Sequence, residues 1–123
     1  MAMAKILWVD DEIELLQSQK LFLESRGYEV DTLTNGFDAI DYVKEHPVDV
    51  VLMDESMPGL TGLETLAKIK FLNPALPVVL ITRNETENLM EEAIGAQISD
   101  YLIKPVNPNQ VLLSLKKIID NKR

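Results

Sequence analysis

Short apolar runs alternate along the chain with longer stretches in which apolar residues recur every three or four positions. The runs ILWV, VDVVLM, LPVVLI and SDYLI, with a less regular one at 28–33, have the length of β-strands, and the stretches between them have the period of amphipathic helices. That alternation predicts βα units around a parallel sheet, with strands near 5–10, 28–33, 48–53, 77–82 and 99–103. The third and fourth runs are apolar on both faces, as central strands covered by helices on both sides must be.

The helical stretches are equally specific. Residues 12–26 place Ile13, Leu16 and Leu23 at helical spacing, and Gly27 suits the stop. Phe37, Ile40 and Val43 mark a second helix, Leu63, Leu66 and Ile69 a third, and residues 86–96 a weaker fourth. The fifth opens at Asn107-Pro108, a favourable cap followed by proline in the first turn, and carries Val111, Leu112, Leu115, Ile118 and Ile119. No repeat and no Gly-, Ser- or Pro-rich linker divides the chain, so residues 1–123 read as one doubly wound α/β domain with helices on both faces.

Polar groups close the apolar runs: Asp10 and Asp11 the first, Asp54 the third, Thr82 the fourth and Lys104 the fifth. In a parallel sheet these five converge at the carboxyl edge, where open α/β sheets bind ligands. Three carboxylates in a small volume repel one another unless a cation offsets them, and an all-oxygen donor set suits Mg²⁺. A carboxylate such as Asp54, at a strand end beside a metal, can attack phosphorus to give an acyl phosphate. Lys104 and Thr82 supply a cation and a hydroxyl for the phosphoryl oxygens. Taken singly, each has an ordinary role: Asp10 and Asp11 as helix caps, Asp54 in a turn, Thr82 as a cap, Lys104 as a surface amine. The coincidence at matching strand ends favours the joint reading.

Composition narrows the alternatives. A chain of 123 residues that is 46% hydrophobic can bury one substantial core. The net charge of −8 opposes nonspecific nucleic-acid binding, so no direct contact with nucleic acid is expected. The absence of cysteine excludes disulfides and thiolate zinc sites. His46, before Pro47 at a helix end, reads as solvated, and Trp8 as a core or pocket-edge residue beside the site. No apolar run approaches the roughly 20 residues of a membrane span and no signal-peptide pattern is visible, so a cytoplasmic protein is expected.

With these residues in place, the chain resembles the receiver domain of bacterial two-component response regulators over nearly its whole length. The motifs are Val9-Asp10-Asp11-Glu12, Leu52-Met53-Asp54-Glu55-Ser56-Met57-Pro58-Gly59, Gly62, Leu80-Ile81-Thr82 and Asp100-Tyr101-Leu102-Ile103-Lys104-Pro105. The stretches 8–12 and 104–110 are also similar to the N-terminal receiver of PorX-type regulators. The resemblance implies a flavodoxin-like, CheY-like receiver fold with strand order 2-1-3-4-5. It also implies phosphorylation of Asp54 by a sensor histidine kinase and Mg²⁺ held by Asp11 and Asp54, by the Ser56 backbone carbonyl and by Asp10 partly through water. Thr82 and Tyr101 resemble the family's switch pair, Lys104 would bind the phosphoryl group, and the Lys104-Pro105 bond would be cis.

By the same resemblance, the domain would be a signalling switch rather than an enzyme, one that catalyses only its own phosphotransfer and slow autodephosphorylation. Its output would be a changed surface of the fourth helix, fifth strand and fifth helix. That surface would serve a phosphorylation-dependent homodimer, with Asp100, Lys116, Lys117 and Glu91 or Glu92 as pairing charges, or a C-terminal effector domain. Departures from the family pattern are Arg83, in place of a small residue and able to cover the acyl phosphate or pair with Glu55, and Ser56 and Asn84, neither suited to hold an attacking water. Gln97-Ile98 stands where the family often has Gly-Ala, so a differently shaped end of the fourth helix is expected. The competing readings are a phosphorylation-independent pseudo-receiver, which the intact acidic set opposes, and an aspartyl-phosphate phosphatase, which would want a second aspartate where Ser56 stands. Flavodoxin-like nucleotide binding lacks its Gly-rich phosphate loop.

Overall fold

The structure, a computed structural model, describes residues 4–83 and 87–120. In chain order these form β1 (Lys5–Val9), a 3-10 turn (Ile13–Leu16) leading into α1 (Gln17–Ser25), β2 (Glu29–Leu33), α2 (Gly36–Glu45), β3 (Val50–Asp54), α3 (Gly62–Leu72), β4 (Val78–Thr82), α4 (Glu87–Gly95), β5 (Asp100–Ile103) and α5 (Pro108–Asp120). All four strand pairings are parallel and the order is β2-β1-β3-β4-β5, as the sequence reading expects.

Alternation along each strand feeds two cores. Ile6 and Trp8 join Leu52 and Ile81 on the face covered by Leu23 of α1 and by Val111 and Leu115 of α5. Leu7 and Val9 join Met53 and Leu80 on the face covered by Ala39 of α2, Leu66 of α3 and Ala93 of α4. Every residue of β3 and β4 is buried, which accounts for their uninterrupted apolar runs. Each large aliphatic side chain so removed from water contributes about 1.5–3 kcal/mol.

Several elements depart from the expected pattern for identifiable reasons. The first helix starts late: an Asp10 carboxylate oxygen accepts the Glu12 amide at 2.8 Å, and its carbonyl accepts the Ile13 amide at 3.1 Å, which turns the chain before α1 begins. Phe37, expected on an apolar inner face, is 59% exposed while Ala39 is fully buried. Close approach of α2 to α3 fixes that rotation: a Cβ on Gly36 would lie 2.0 Å from Thr65 Oγ1. Gln97 has φ +64°, taking the left-handed position after α4 that glycine fills at lowest cost. The two remaining long helices are capped by side chains, α3 by a reciprocal Thr61–Glu64 box and α5 by Asn107, the cap its sequence suggests, with Gln110. No helix among the described residues is long and apolar enough to cross a membrane.

Candidate functional site

Strand ladders carry the polar residues to one edge. The Asp10 amide donates to the Leu33 carbonyl at 3.0 Å, one residue beyond β1, and the Lys104 amide to the Thr82 carbonyl at 2.8 Å, one residue beyond β5. Asp54 ends β3 in register with Ile81. Behind it, α3 begins so close that a Cβ on Gly62 would lie 2.4 Å from the Asp54 carbonyl oxygen and 2.7 Å from Glu55 Cα, so only glycine fits there without moving the backbone.

The result is a compact charge cluster. Carboxylate oxygens of Asp10, Asp11 and Asp54 lie within 4.8 Å of one another, with Asp10 and Asp54 buried and Asp11 exposed. The Lys104 ammonium sits 3.1 Å from Asp10 Oδ2 and 3.1 Å from Asp54 Oδ1. Burial, followed by repulsion from Asp10, pushes the Asp54 carboxyl up to about 6 despite the lysine. Burial disfavours charge on Lys104, but its hydrogen bonds to Asp10 and Asp54 and its attraction to both outweigh that and hold its pKa above the ordinary range. Three carboxylates against one ammonium leave excess negative charge on hard oxygen donors, and this donor set fits a divalent cation such as Mg²⁺.

Around the cluster, Thr82 is 3% exposed. Tyr101 pairs with Leu80, two residues before Thr82, and therefore shares a sheet face with it. Tyr101 is half-buried and packs against the core on that face. Ser56 is exposed in the loop after Asp54, and the Lys104-Pro105 bond is cis. A cavity of about 400 Å³ opens beside the cluster, bounded by Asp10, Glu12, Leu15, Arg83, Lys104 and Pro105.

Of the two roles open to Arg83, the ion pair with Glu55 is not formed. Arg83 reaches Glu12 at 3.2 Å instead, while a Glu55 carboxylate oxygen accepts the Leu63 amide at 2.8 Å. A free N–H at the start of α3 competes successfully for the carboxylate because the helix dipole adds to the hydrogen bond. Asn84 lies outside the described residues. Asp100, expected among surface pairing charges, accepts from Ser114 Oγ at 2.6 Å and from the Tyr101 amide at 2.8 Å, an internal tie between β5 and α5. Trp8 belongs to the core outright, fully buried, and His46 is exposed with its ring 4.5 Å from that of Tyr42. Sequence reasoning missed Glu12 as the partner of Arg83, which no local spacing signals.

Fold and site define a flavodoxin-like α/β domain with a metal-capable acidic pocket at the carboxyl edge of its sheet. The chain belongs to the response regulator receiver domain family of two-component signal transduction, whose profile matches residues 6–116. It is 36% identical over 118 residues to the transcriptional regulatory protein ZraR of Klebsiella oxytoca, covering 96% of this chain and 27% of that protein, so it spans about a quarter of this relative's length. Among solved structures, a CheY-like receiver domain protein from Methanospirillum hungatei JF-1 superposes with a TM-score of 0.93 at 28% identity, covering 98% of this chain and 96% of that one. The response regulator TrrA of Thermotoga maritima, in complex with Mg(2+)-BeF, superposes with a TM-score of 0.84 at 30% identity, covering 94% and 99%.

Proposed function

We propose that this domain is a phosphorylation-driven switch in which Asp54 accepts a phosphoryl group from the phosphohistidine of a sensor kinase. The observation that carries this reading is the placement of Lys104 between Asp10 and Asp54, at 3.1 Å from each, in a pocket whose donor set fits Mg²⁺. The complex of TrrA with Mg(2+)-BeF supports it by kinship. An Asp54 carboxylate oxygen attacks phosphorus, a P–O bond forms, and the P–N bond breaks with its electron pair going to the imidazole nitrogen, which takes up a proton. Mg²⁺, held by Asp10, Asp11, Asp54 and the Ser56 carbonyl, would offset the charge of the transferring oxygens. Lys104 stays with those oxygens as a fixed cation. The cavity walled by Glu12, Leu15 and Pro105 gives the kinase access.

Phosphorylation adds roughly −1.5 to −2 charges beside Thr82. The Thr82 hydroxyl moves toward them and vacates space on the sheet face it shares with Tyr101, which moves inward and reshapes the α4–β5–α5 surface. Arg83, at the mouth of the pocket, covers the acyl phosphate, and Ser56, Glu55 and Asn84 tune its lifetime. Ser56 offers neither a carboxylate nor a long amide to hold water, so self-hydrolysis is slow. Output passes to a second copy through α4–β5–α5 or to a C-terminal effector domain, the latter supported by kinship with a much longer transcriptional regulator. The test is the ¹⁵N spectrum of the domain with Mg²⁺ and beryllofluoride. Shifts at Thr82, Tyr101 and along α5 are expected; shifts confined to the acidic pocket would reject the switch and leave a pseudo-receiver.

A further inference from the structure

The seam between α2 and α3 plays no part in the proposed switch, yet it carries the most exposed large apolar side chain in the described structure: Phe71, 88% exposed. Beside it a groove of about 370 Å³ is lined by Ile40, Lys44, Ala67, Lys68, Phe71 and Leu72. Three residues before Ile40 on α2, Phe37 is exposed too, at 59%, with its ring near Gly59. Isolated exposed apolar residues need no explanation, but a groove lined by Ile40, Ala67, Leu72 and an almost fully exposed phenylalanine does.

Charge separates the candidate occupants. Lys44 and Lys68 flank the groove, both are exposed, and neither forms an ion pair with a described residue, although the chain carries a net charge of −8. A second copy docking across a two-fold axis would set this patch against itself, lysine facing lysine, whereas an acidic segment would meet both lysines with opposite charge. The groove runs between two helices and offers no free strand edge, so the matching recognition mode is a helix laid in the groove with apolar anchors at helical spacing.

We propose that the α2–α3 seam is a docking surface for an acidic amphipathic helix of a partner protein, whose apolar face covers Phe71 and Ile40 and whose carboxylates pair with Lys44 and Lys68. The inference does not depend on phosphorylation of Asp54.

The test uses the ¹⁵N-labelled chain and two synthetic helical peptides with identical Leu anchors, one flanked by Glu and the other by Lys. The Glu peptide is expected to shift the resonances of Ile40, Ala67, Lys68 and Phe71 and to bind more weakly as salt rises. Phe71→Ser, at a site too exposed to support the core, should weaken it by about tenfold or more. The double charge reversal Lys44→Glu, Lys68→Glu should transfer preference to the Lys peptide. Equal binding of both peptides, shifts elsewhere or no shifts would overturn the proposal. So would a concentration-dependent dimer in sedimentation that Phe71→Ser abolishes, because it would assign the face to a second copy.

Discussion

Lys104 holds its ammonium 3.1 Å from an oxygen of Asp54, yet the aspartate still titrates near 6 because burial and Asp10 outweigh that one cation. With the folded-state pKa raised above the ordinary carboxylate value of 3.8, the folded protein binds more protons than the unfolded chain between that value and about 6. The contribution of Asp54 to stability is therefore lost as pH rises through that window. In chelator, Asp54→Asn should match the parent at about pH 4 and exceed it by about 2 kcal/mol at about pH 7.5, since a tenfold change in proton affinity corresponds to about 1.4 kcal/mol. Urea melts at the two pH values check this.

Adding Mg²⁺ should stabilise the fold by relieving the same repulsion, by about 1.4 kcal/mol at about ten times its Kd. Asp11→Ala should weaken that effect most, because Asp10 and Asp54 already share Lys104 while Asp11 stands exposed beside them. Thermal melts with and without Mg²⁺ measure both. A chelator-treated parent whose Tm ignores millimolar Mg²⁺ would count against the metal site.

Gly62→Ala should cost about 1–3 kcal/mol and slow phosphorylation as well, since the new methyl meets the backbone at Asp54 and Glu55 rather than a side chain able to swing away. Denaturant unfolding reads the first effect, and the rate of phosphoryl uptake at matched folded fraction reads the second.

Gln97→Gly should stabilise the domain by about 0.5–1 kcal/mol. Removing the left-handed strain of about 1–2 kcal/mol outweighs the extra entropy that glycine loses on folding. Calorimetric Tm values of the two forms decide it.

Much of this arrangement was legible in the sequence. Strands β3 and β4 announce themselves because burial on both faces leaves no polar position before their last residues, Asp54 and Thr82, and Asp10, Asp54, Thr82 and Lys104 converge because parallel strands must all end at one edge. The exposure of Phe37 was not legible, since the rotation of α2 is set by how closely Gly36 approaches Thr65, a contact remote in sequence. Nor was the choice of Arg83 between two glutamates, which depends on Glu55 being taken by the first turn of α3. Asp100 shows the same limit: a charge on a strand of mixed exposure reads as a surface group until α5 brings Ser114 against it.

Intact mass spectrometry after incubation with Mg²⁺ and a small phosphodonor tests the central claim most directly. The parent should gain the mass of one phosphoryl group, lost again on treatment with hydroxylamine as acyl phosphates are, and Asp54→Asn should gain none. An unmodified parent, or an Asp54→Asn variant phosphorylated to the same extent, would contradict the assignment of Asp54 as phosphoryl acceptor.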